Sequence, residues 1–500
     1  MPFGEYILKQ LTTTSGFEYA DNYEFNIDED GEEIKEVIAN AEITAKLKVI
    51  KIDAETKEVI KRANIKFKIF DVEENKYVCQ TITYPTAKTL CEFETDENGI
   101  LITPYPLYSG TYKLEEVDQV IDGYLWNKQS VEFRIDENAN LITDNEYGIL
   151  FETEFENKEV KGKVTIHKTG EKAIINNGIE YNKVNLKGVK IGLYANKDIY
   201  SANGILKYKK DSLIGEYITN ENGIIEINSL YLGSYYLKEI STLETHILDD
   251  KKYEFELNYK DQYTAVINYE INLENFYKKG DMEFTKTDLI TGEVIANTKI
   301  EIYTENNELV YSGITDENGK ITIKNLPVNQ KFYIIETEPA TGYVLTEEKV
   351  YFEIKENGEI VKANMTNKPI IGELEFTKTD LSTSEPLPNT LIEIYTENNE
   401  LVFSGRTDEN GMIVIEELEY GKYYILEKEA PESYILNEEP MNFEIKENGE
   451  VVKAVMTNEK IVIEVPNTEK NEFPYFELGA LILSLIGLGV IAYAKKKTDK

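Results

Sequence analysis

The chain has 500 residues, too many for a single hydrophobic core, so several domains are expected. Its 92 Asp and Glu outweigh 54 Lys and Arg, a formal charge of −38, which argues against a nucleic-acid partner because the phosphate backbone would be repelled. Thirty-five tyrosines, with abundant Ile, Val and Phe, argue against disorder and suit half-buried strands.

Residues 1–44 read as the tail of a repeat. "PFGEYILKQL" is similar to "YLGSYYLKEI" at 231–240, and Asn40 closes the segment as later asparagines close theirs. The opening half of this repeat is absent, and "MPFGEYILKQ" has no charged head followed by an apolar stretch. The true beginning of the protein, with an export signal, is therefore expected upstream.

Residues 45–161 form the first full repeat, opening at "LKVIKID". Cys79 and Cys91 flank "QTITYPTAKTL", a hairpin with Pro85 near its turn. A cross-strand disulfide would form there in an oxidising compartment; two partly buried free thiols are the alternative. With no histidines clustered nearby the pair makes a poor metal site, and no metal or cofactor is expected. Tyr124 and Trp126 could form a surface platform for a glycan or collagen, although a lone Trp is more often packed in a core.

The second repeat, 162–279, opens at "KVTIHKT" and holds both histidines, His167 facing outward and His246 in a loop. Neither has a nucleophile context. Repeats 280–371 and 372–460 are two copies of one unit, as "EFTKTDLITGEVIANTKIEIYTENNELVYSGITDEN" at 283–318 and "EFTKTDLSTSEPLPNTLIEIYTENNELVFSGRTDEN" at 375–410 demonstrate. "IEIYTENNELVYSG" reads as a hairpin around Asn306 and Asn307. "TDENG" and "TNENG" place Gly after a polar cluster in all four repeats, which is turn chemistry; one short acidic loop lacks the ligand count of a Ca²⁺ site. Short strands, frequent turns and few helical runs predict an all-β tandem array of immunoglobulin-like antiparallel β-sandwiches.

The C-terminal segment changes character. "VPNTE" at 465–469 lies in a spacer, 461–477, followed by a 17-residue uncharged apolar run at 478–494 and a basic tail at 495–500. The run predicts a transmembrane helix, and Lys495, Lys496 and Lys497 place the tail inside and the bulk of the chain outside.

Strand parity selects three polar positions per repeat, because alternate side chains face opposite sides of a sheet. Phe284 and Lys286 share the apolar face, as do Phe376 and Lys378, Ile166 and Lys168, and Val49 and Lys51. Glu116, Glu239, Glu336 and Glu427 follow inward Leu or Ile by two residues; Asn157, Asn275, Asn367 and Asn458 follow inward Phe, Leu or Met by two. Buried charges must be paired or neutralised. One solution is a Lys–Glu salt bridge with Asn as a further hydrogen-bond partner. The other is chemical: desolvation favours a neutral amine, a nucleophile, and a protonated Glu that polarises the carboxamide and relays protons to departing ammonia, leaving a Lys–Asn isopeptide bond.

At these residues the sequence resembles the Cna B-type, SpaA-like (prealbumin-like) domains of Gram-positive surface proteins and pilins, whose loose signature is Y-x-L-x-E-T-x-A-P-x-G-Y. "YYILEKEAPESY" keeps Tyr423, Glu427, Ala430, Pro431 and Tyr434; "FYIIETEPATGY" keeps Glu336, Thr337, Gly342 and Tyr343. The resemblance implies four isopeptide triads: Lys51–Glu116–Asn157, Lys168–Glu239–Asn275, Lys286–Glu336–Asn367 and Lys378–Glu427–Asn458. In the leading fragment Gln10 takes the glutamate place and no lysine is present, so no bond is expected there. Val465, Pro466, Asn467, Thr468 and Glu469 resemble a sortase sorting signal, usually L-P-x-T-G, with Glu469 departing from Gly.

The reading that follows is a stalk of a cell-wall-anchored adhesin or pilus-associated protein, extracellular and not an enzyme. It implies transient contact with sortase, linkage to peptidoglycan or a pilin, and a membrane helix. Alternatives are a polymerised pilin shaft subunit, with Lys88 of "TYPTAK" as acceptor, or a collagen- or glycan-binding module in the upstream repeats.

Overall fold

The computed structural model describes residues 1–463; the motif at 465–469, the apolar run expected to be a transmembrane helix at 478–494 and the tail at 495–500 lie outside the described residues. Among the described residues there are strands, turns and irregular segments but no helix. Four separate hydrophobic cores follow one another along the chain, each between two sheets, behind a two-stranded leading hairpin of Gly4–Leu8 and Tyr23–Ile27.

The third unit illustrates the plan. Lys279–Asp288 alternates strictly, with Met282, Phe284 and Lys286 inward and Glu283, Thr285 and Thr287 only half-buried. It sits in the middle of a three-stranded sheet, between Lys320–Pro327 and Ile360–Asn367. The facing sheet runs Leu309–Ile314, Lys299–Thr304, Lys331–Glu338, Val350–Glu353. Phe284, Ile302, Phe332, Ile334 and Met365 fill the space between the sheets. The fourth unit repeats this arrangement strand for strand.

One pairing departs from an antiparallel sandwich. In every unit the opening and closing strands lie side by side and parallel, as Asp281↔Ile360 through Asp288↔Asn367 in the third. Alternation reports which face a residue occupies, not which way its strand runs, so parity could not predict this direction.

The recurring polar turn serves the opening strand. Gly319 has φ +67°, and a Cβ there would meet the Lys286 carbonyl oxygen at 2.7 Å. Its own carbonyl accepts the Lys286 N–H at 2.8 Å. Gly99, Gly223 and Gly411 hold the amides of Lys51, Lys168 and Lys378 in the same way. The acidic residue of the turn is already used: Asp316 Oδ1 accepts the amides of Asn318 and Lys320 at 2.9 and 2.8 Å. The threonine just before it is a buried staple. Thr315 Oγ1 donates to the Ile295 carbonyl at 2.9 Å and accepts the Thr298 amide at 3.0 Å. Thr95, Thr219 and Thr407 repeat both bonds.

Strands Gln80–Ile82 and Lys88–Leu90 form the expected hairpin, and the sulfurs of Cys79 and Cys91 lie 2.02 Å apart. Asn157, Asn275 and Asn367 each precede the next unit's lysine by eleven residues, and only three residues separate the end of one closing strand from the start of the next opening strand at each joint. At the joint of the first two units Tyr259 and Tyr263 donate to the Tyr124 carbonyl and Asp118 at 3.2 and 2.6 Å. At the next, Lys279 pairs with Glu171 at 2.9 Å and lies 3.7 Å from the centre of the Tyr181 ring.

Replacing Thr315 by Val keeps shape but leaves one buried N–H and one carbonyl unpaired. We expect the third unit to lose about 1–3 kcal/mol, read as reduced amide-exchange protection confined to that unit.

Candidate cross-linking site

The parallel pairing brings the lysine and asparagine together. Lys286 stands opposite Met365, and Asn367 opposite Asp288, so Lys286 and Asn367 are diagonal neighbours on one inner face. Lys51–Asn157, Lys168–Asn275 and Lys378–Asn458 occupy the same relation. The glutamate comes from the facing sheet: Glu336 pairs with Ile300 on strands that cover the lysine. Each triad therefore spans the sandwich, two members from one sheet and one from the other.

All twelve side chains are buried, and the four lysines are at most 1% exposed. Lys51, Lys168, Lys286 and Lys378 lie 3.2, 2.9, 3.5 and 3.2 Å from their glutamates. Each asparagine donates Nδ2 to that same glutamate, at 3.1 Å for Asn157 and 2.6 Å for Asn275, Asn367 and Asn458. In the first two units the lysine Nζ also meets the asparagine Oδ1. In the last two, Asn367 Oδ1 and Asn458 Oδ1 have no hydrogen-bond partner, nor does Lys286 Nζ.

Burial sets the electrostatics. Desolvation pulls the Lys51 ammonium down to about 8, against the opposing pull of Glu116. The same cause lowers Lys286 and Lys378. Lys51 Nζ also lies 4.4 and 5.5 Å from the ring centres of Phe155 and Phe67, so aromatic rings line part of its surroundings. A buried carboxylate that accepts from the amide, beside an amine whose charge is disfavoured, can transfer protons between them without water.

Further contacts were not anticipated from sequence. The second carboxylate oxygen of Glu116, Glu336 and Glu427 accepts a backbone N–H, from Asn127, Thr346 and Asn437, at 3.1, 3.0 and 2.8 Å. Tyr434 donates to Asp380 at 2.9 Å, tying the loop after the glutamate to the residue two beyond the lysine. Tyr343 faces Asp288 and Tyr124 faces Asp53 in the same positions. The recurring Lys-x-Asp spacing was a usable signal for this contact. In the leading fragment Asn40 Nδ2 reaches Gln10 Oε1 at 3.2 Å, so the glutamine does stand in the glutamate's place.

The proposed aromatic platform is not one. Tyr124 is fully buried. The Trp126 amide donates to Gln262, and its ring meets Tyr263 edge-on at 6.2 Å, inside the joint with the second unit. His246 lies in a loop, as expected, and is buried there, with Nε2 donating to the Glu171 carbonyl at 2.8 Å. His167 is half-buried on the outward side of its strand.

Comparison with known proteins agrees with this architecture. A structure of the Bacillus anthracis TIE protein is 27% identical, with a TM-score of 0.51 over 85% of this chain and 70% of that one. A structure of the major pilin subunit of Bacillus cereus is 18% identical over 60% of this chain and 99% of that one, with a TM-score of 0.29. No curated protein matches the sequence. The family model described as SpaA, prealbumin-like fold domain, matches residues 45–147, 162–271, 280–369 and 372–460. Those four segments hold the lysine and glutamate of every sandwich and, in the last two, the asparagine as well, and the chain therefore belongs to the SpaA family of prealbumin-like fold domains.

Proposed function

We propose that this chain is the structural stalk of a cell-surface adhesin or pilus-associated protein, stiffened by an isopeptide bond in each full unit. Its units are 45–161, 162–279, 280–371 and 372–460, behind a fragment at 1–44. The observation that carries the reading is a dry Lys–Glu–Asn contact repeated four times between the first and last strands of a sandwich. A salt bridge alone would leave an ammonium in a core at a cost of several kcal/mol, and a covalent amide removes that charge.

The chemistry balances within the triad. The lysine ammonium gives one proton to the glutamate carboxylate and becomes a neutral amine. The amine attacks the asparagine Cγ. The glutamate gives that proton to the amide nitrogen, the Cγ–Nδ2 bond breaks and ammonia leaves; the carboxylate then takes the second proton from the former lysine nitrogen, so the product is a neutral amide beside a protonated glutamate. The fold supplies the proximity, since the parallel strands hold both partners in register. Each chain performs each step once, so the reaction is maturation and not turnover.

The mechanical consequence follows from topology. Opening and closing strands carry the chain into and out of each unit, so tension on the termini is borne by the weld that joins them. Closing a loop of roughly 80–110 residues also stabilises the unit by something like ~4–5 kcal/mol, by analogy with disulfide loop entropy. The Cys79–Cys91 pairing fits an oxidising location outside the cell. Sorting through residues 465–469 by sortase, with linkage to peptidoglycan or a pilin and an extracellular location, completes the proposal. A second reading, a polymerised shaft subunit, is favoured by Lys88, which is exposed on the hairpin. Sortase-dependent ladders abolished by Lys88→Arg would establish it.

Intact mass tests the bond. Each linkage expels one ammonia, so residues 45–460 should weigh about 17 Da less per bond than the sequence, four times over. Glu427→Ala should restore one increment, and an unreduced wild-type mass would reject the reading. The rate should depend on pH in a known direction. Burial holds Lys51 near 8, below its ordinary value, so the neutral amine grows as pH rises. In freshly translated protein the first-unit linkage should form at a steady rate below about pH 8, where the triad keeps the lysine's proton, and more slowly above it, where that proton is lost to solvent and Glu116 has none to pass to the leaving amide.

A further inference from the structure

The second unit departs from the other three around its glutamate. Elsewhere a backbone N–H, from Asn127, Thr346 or Asn437, holds the second carboxylate oxygen. Glu239 Oε2 has no hydrogen-bond partner, although Lys168 lies 2.9 Å away. The tyrosine-to-aspartate contact is also gone, because Gly170 stands where Asp53, Asp288 and Asp380 stand in the others, and His246 replaces the tyrosine. Two restraints on the loop that carries the proton relay are thus missing from one site.

A different restraint is present. Thr242, three residues beyond Glu239, accepts a hydrogen bond from Asn275 Nδ2 at 2.7 Å, while Glu239 Oε1 accepts the other at 2.6 Å. Both amide hydrogens are held. In the first unit a backbone carbonyl, that of Leu125, takes the second hydrogen of Asn157 at 2.9 Å, and the residues corresponding to Thr242 in the third and fourth units are Pro339 and Ala430, whose side chains cannot accept one. With both hydrogens fixed, the carboxamide cannot rotate about its Cβ–Cγ bond, and its Oδ1 stays against Lys168 Nζ.

We propose that Thr242 is the positioning residue of the second cross-linking site, orienting the Asn275 carboxamide for attack in place of the backbone clamp that fixes the glutamate elsewhere. This rests on the isopeptide reading. The hydroxyl moves no proton in the balanced step; it fixes the electrophile while Glu239 does the proton transfer. The need for it is local, so the other three units of the same molecule are internal controls.

The test follows linkage formation in freshly translated wild-type chain, Thr242→Val and Thr242→Ser, by mass and by mapping of linked peptides. With Val, the Lys168–Asn275 linkage should form about tenfold more slowly while the other three keep their rates. With Ser, which retains the hydroxyl, the second linkage should form at the wild-type rate. A Val variant that links Lys168 to Asn275 as fast as wild type, with Glu239→Ala blocking that bond, overturns the role of Thr242 and leaves the cross-link reading standing. Equal slowing by Ser and Val assigns Thr242 to packing and also overturns the proposal. Wild-type chain with no linked peptide in any unit overturns the cross-link reading itself.

Discussion

The structure turns on four ammonium groups placed where water does not reach. Moving a charge of that size into an apolar interior costs far more than any single hydrogen bond returns, so everything around each lysine is arranged to answer it. The facing sheet supplies a carboxylate within 3.5 Å in all four units. The neighbouring parallel strand supplies a carboxamide bonded to that carboxylate. In the first unit the rings of Phe155 and Phe67 lie 4.4 and 5.5 Å from the lysine nitrogen. A carboxylate alone would neutralise the charge formally, and the amide offers a route to remove it.

The rest of the sandwich can be understood as the frame for that contact. The glycine turn sets the height of the lysine by accepting its backbone N–H, and its positive φ leaves no room for a side chain against the lysine carbonyl. The buried threonine pins the loop that precedes the turn. The backbone clamp on the glutamate fixes the direction of its second oxygen in three units. The three-residue joints then let one unit's closing strand lead almost directly into the next unit's opening strand. Local turn chemistry, core packing and site geometry thus agree, as expected of a sequence with one dominant structure.

Much of the site was legible before any coordinates. Lys286, Glu336 and Asn367 each follow an inward apolar residue by two, and all three are buried as that parity requires. Gln10 was recognisable as the glutamate's stand-in in the leading fragment, and it does contact Asn40. What parity could not supply was strand direction and long-range partners. The parallel register of opening and closing strands, the N–H groups on Glu116, Glu336 and Glu427, and the burial of Tyr124 in a joint with the second unit all depend on residues distant in sequence.

By itself the sequence determined the repeat, the strand-rich class, the inward-facing identity of each polar residue and the eleven-residue offset from one asparagine to the next lysine. These are short-range properties, set by alternation and by turn residues whose preferences are local. Only the tertiary structure decided that first and last strands run parallel, that lysine and asparagine meet diagonally across them, and that Thr242 touches Asn275 where a backbone clamp is missing. Those facts follow from how two sheets stack and where loops cross them, which no local pattern encodes.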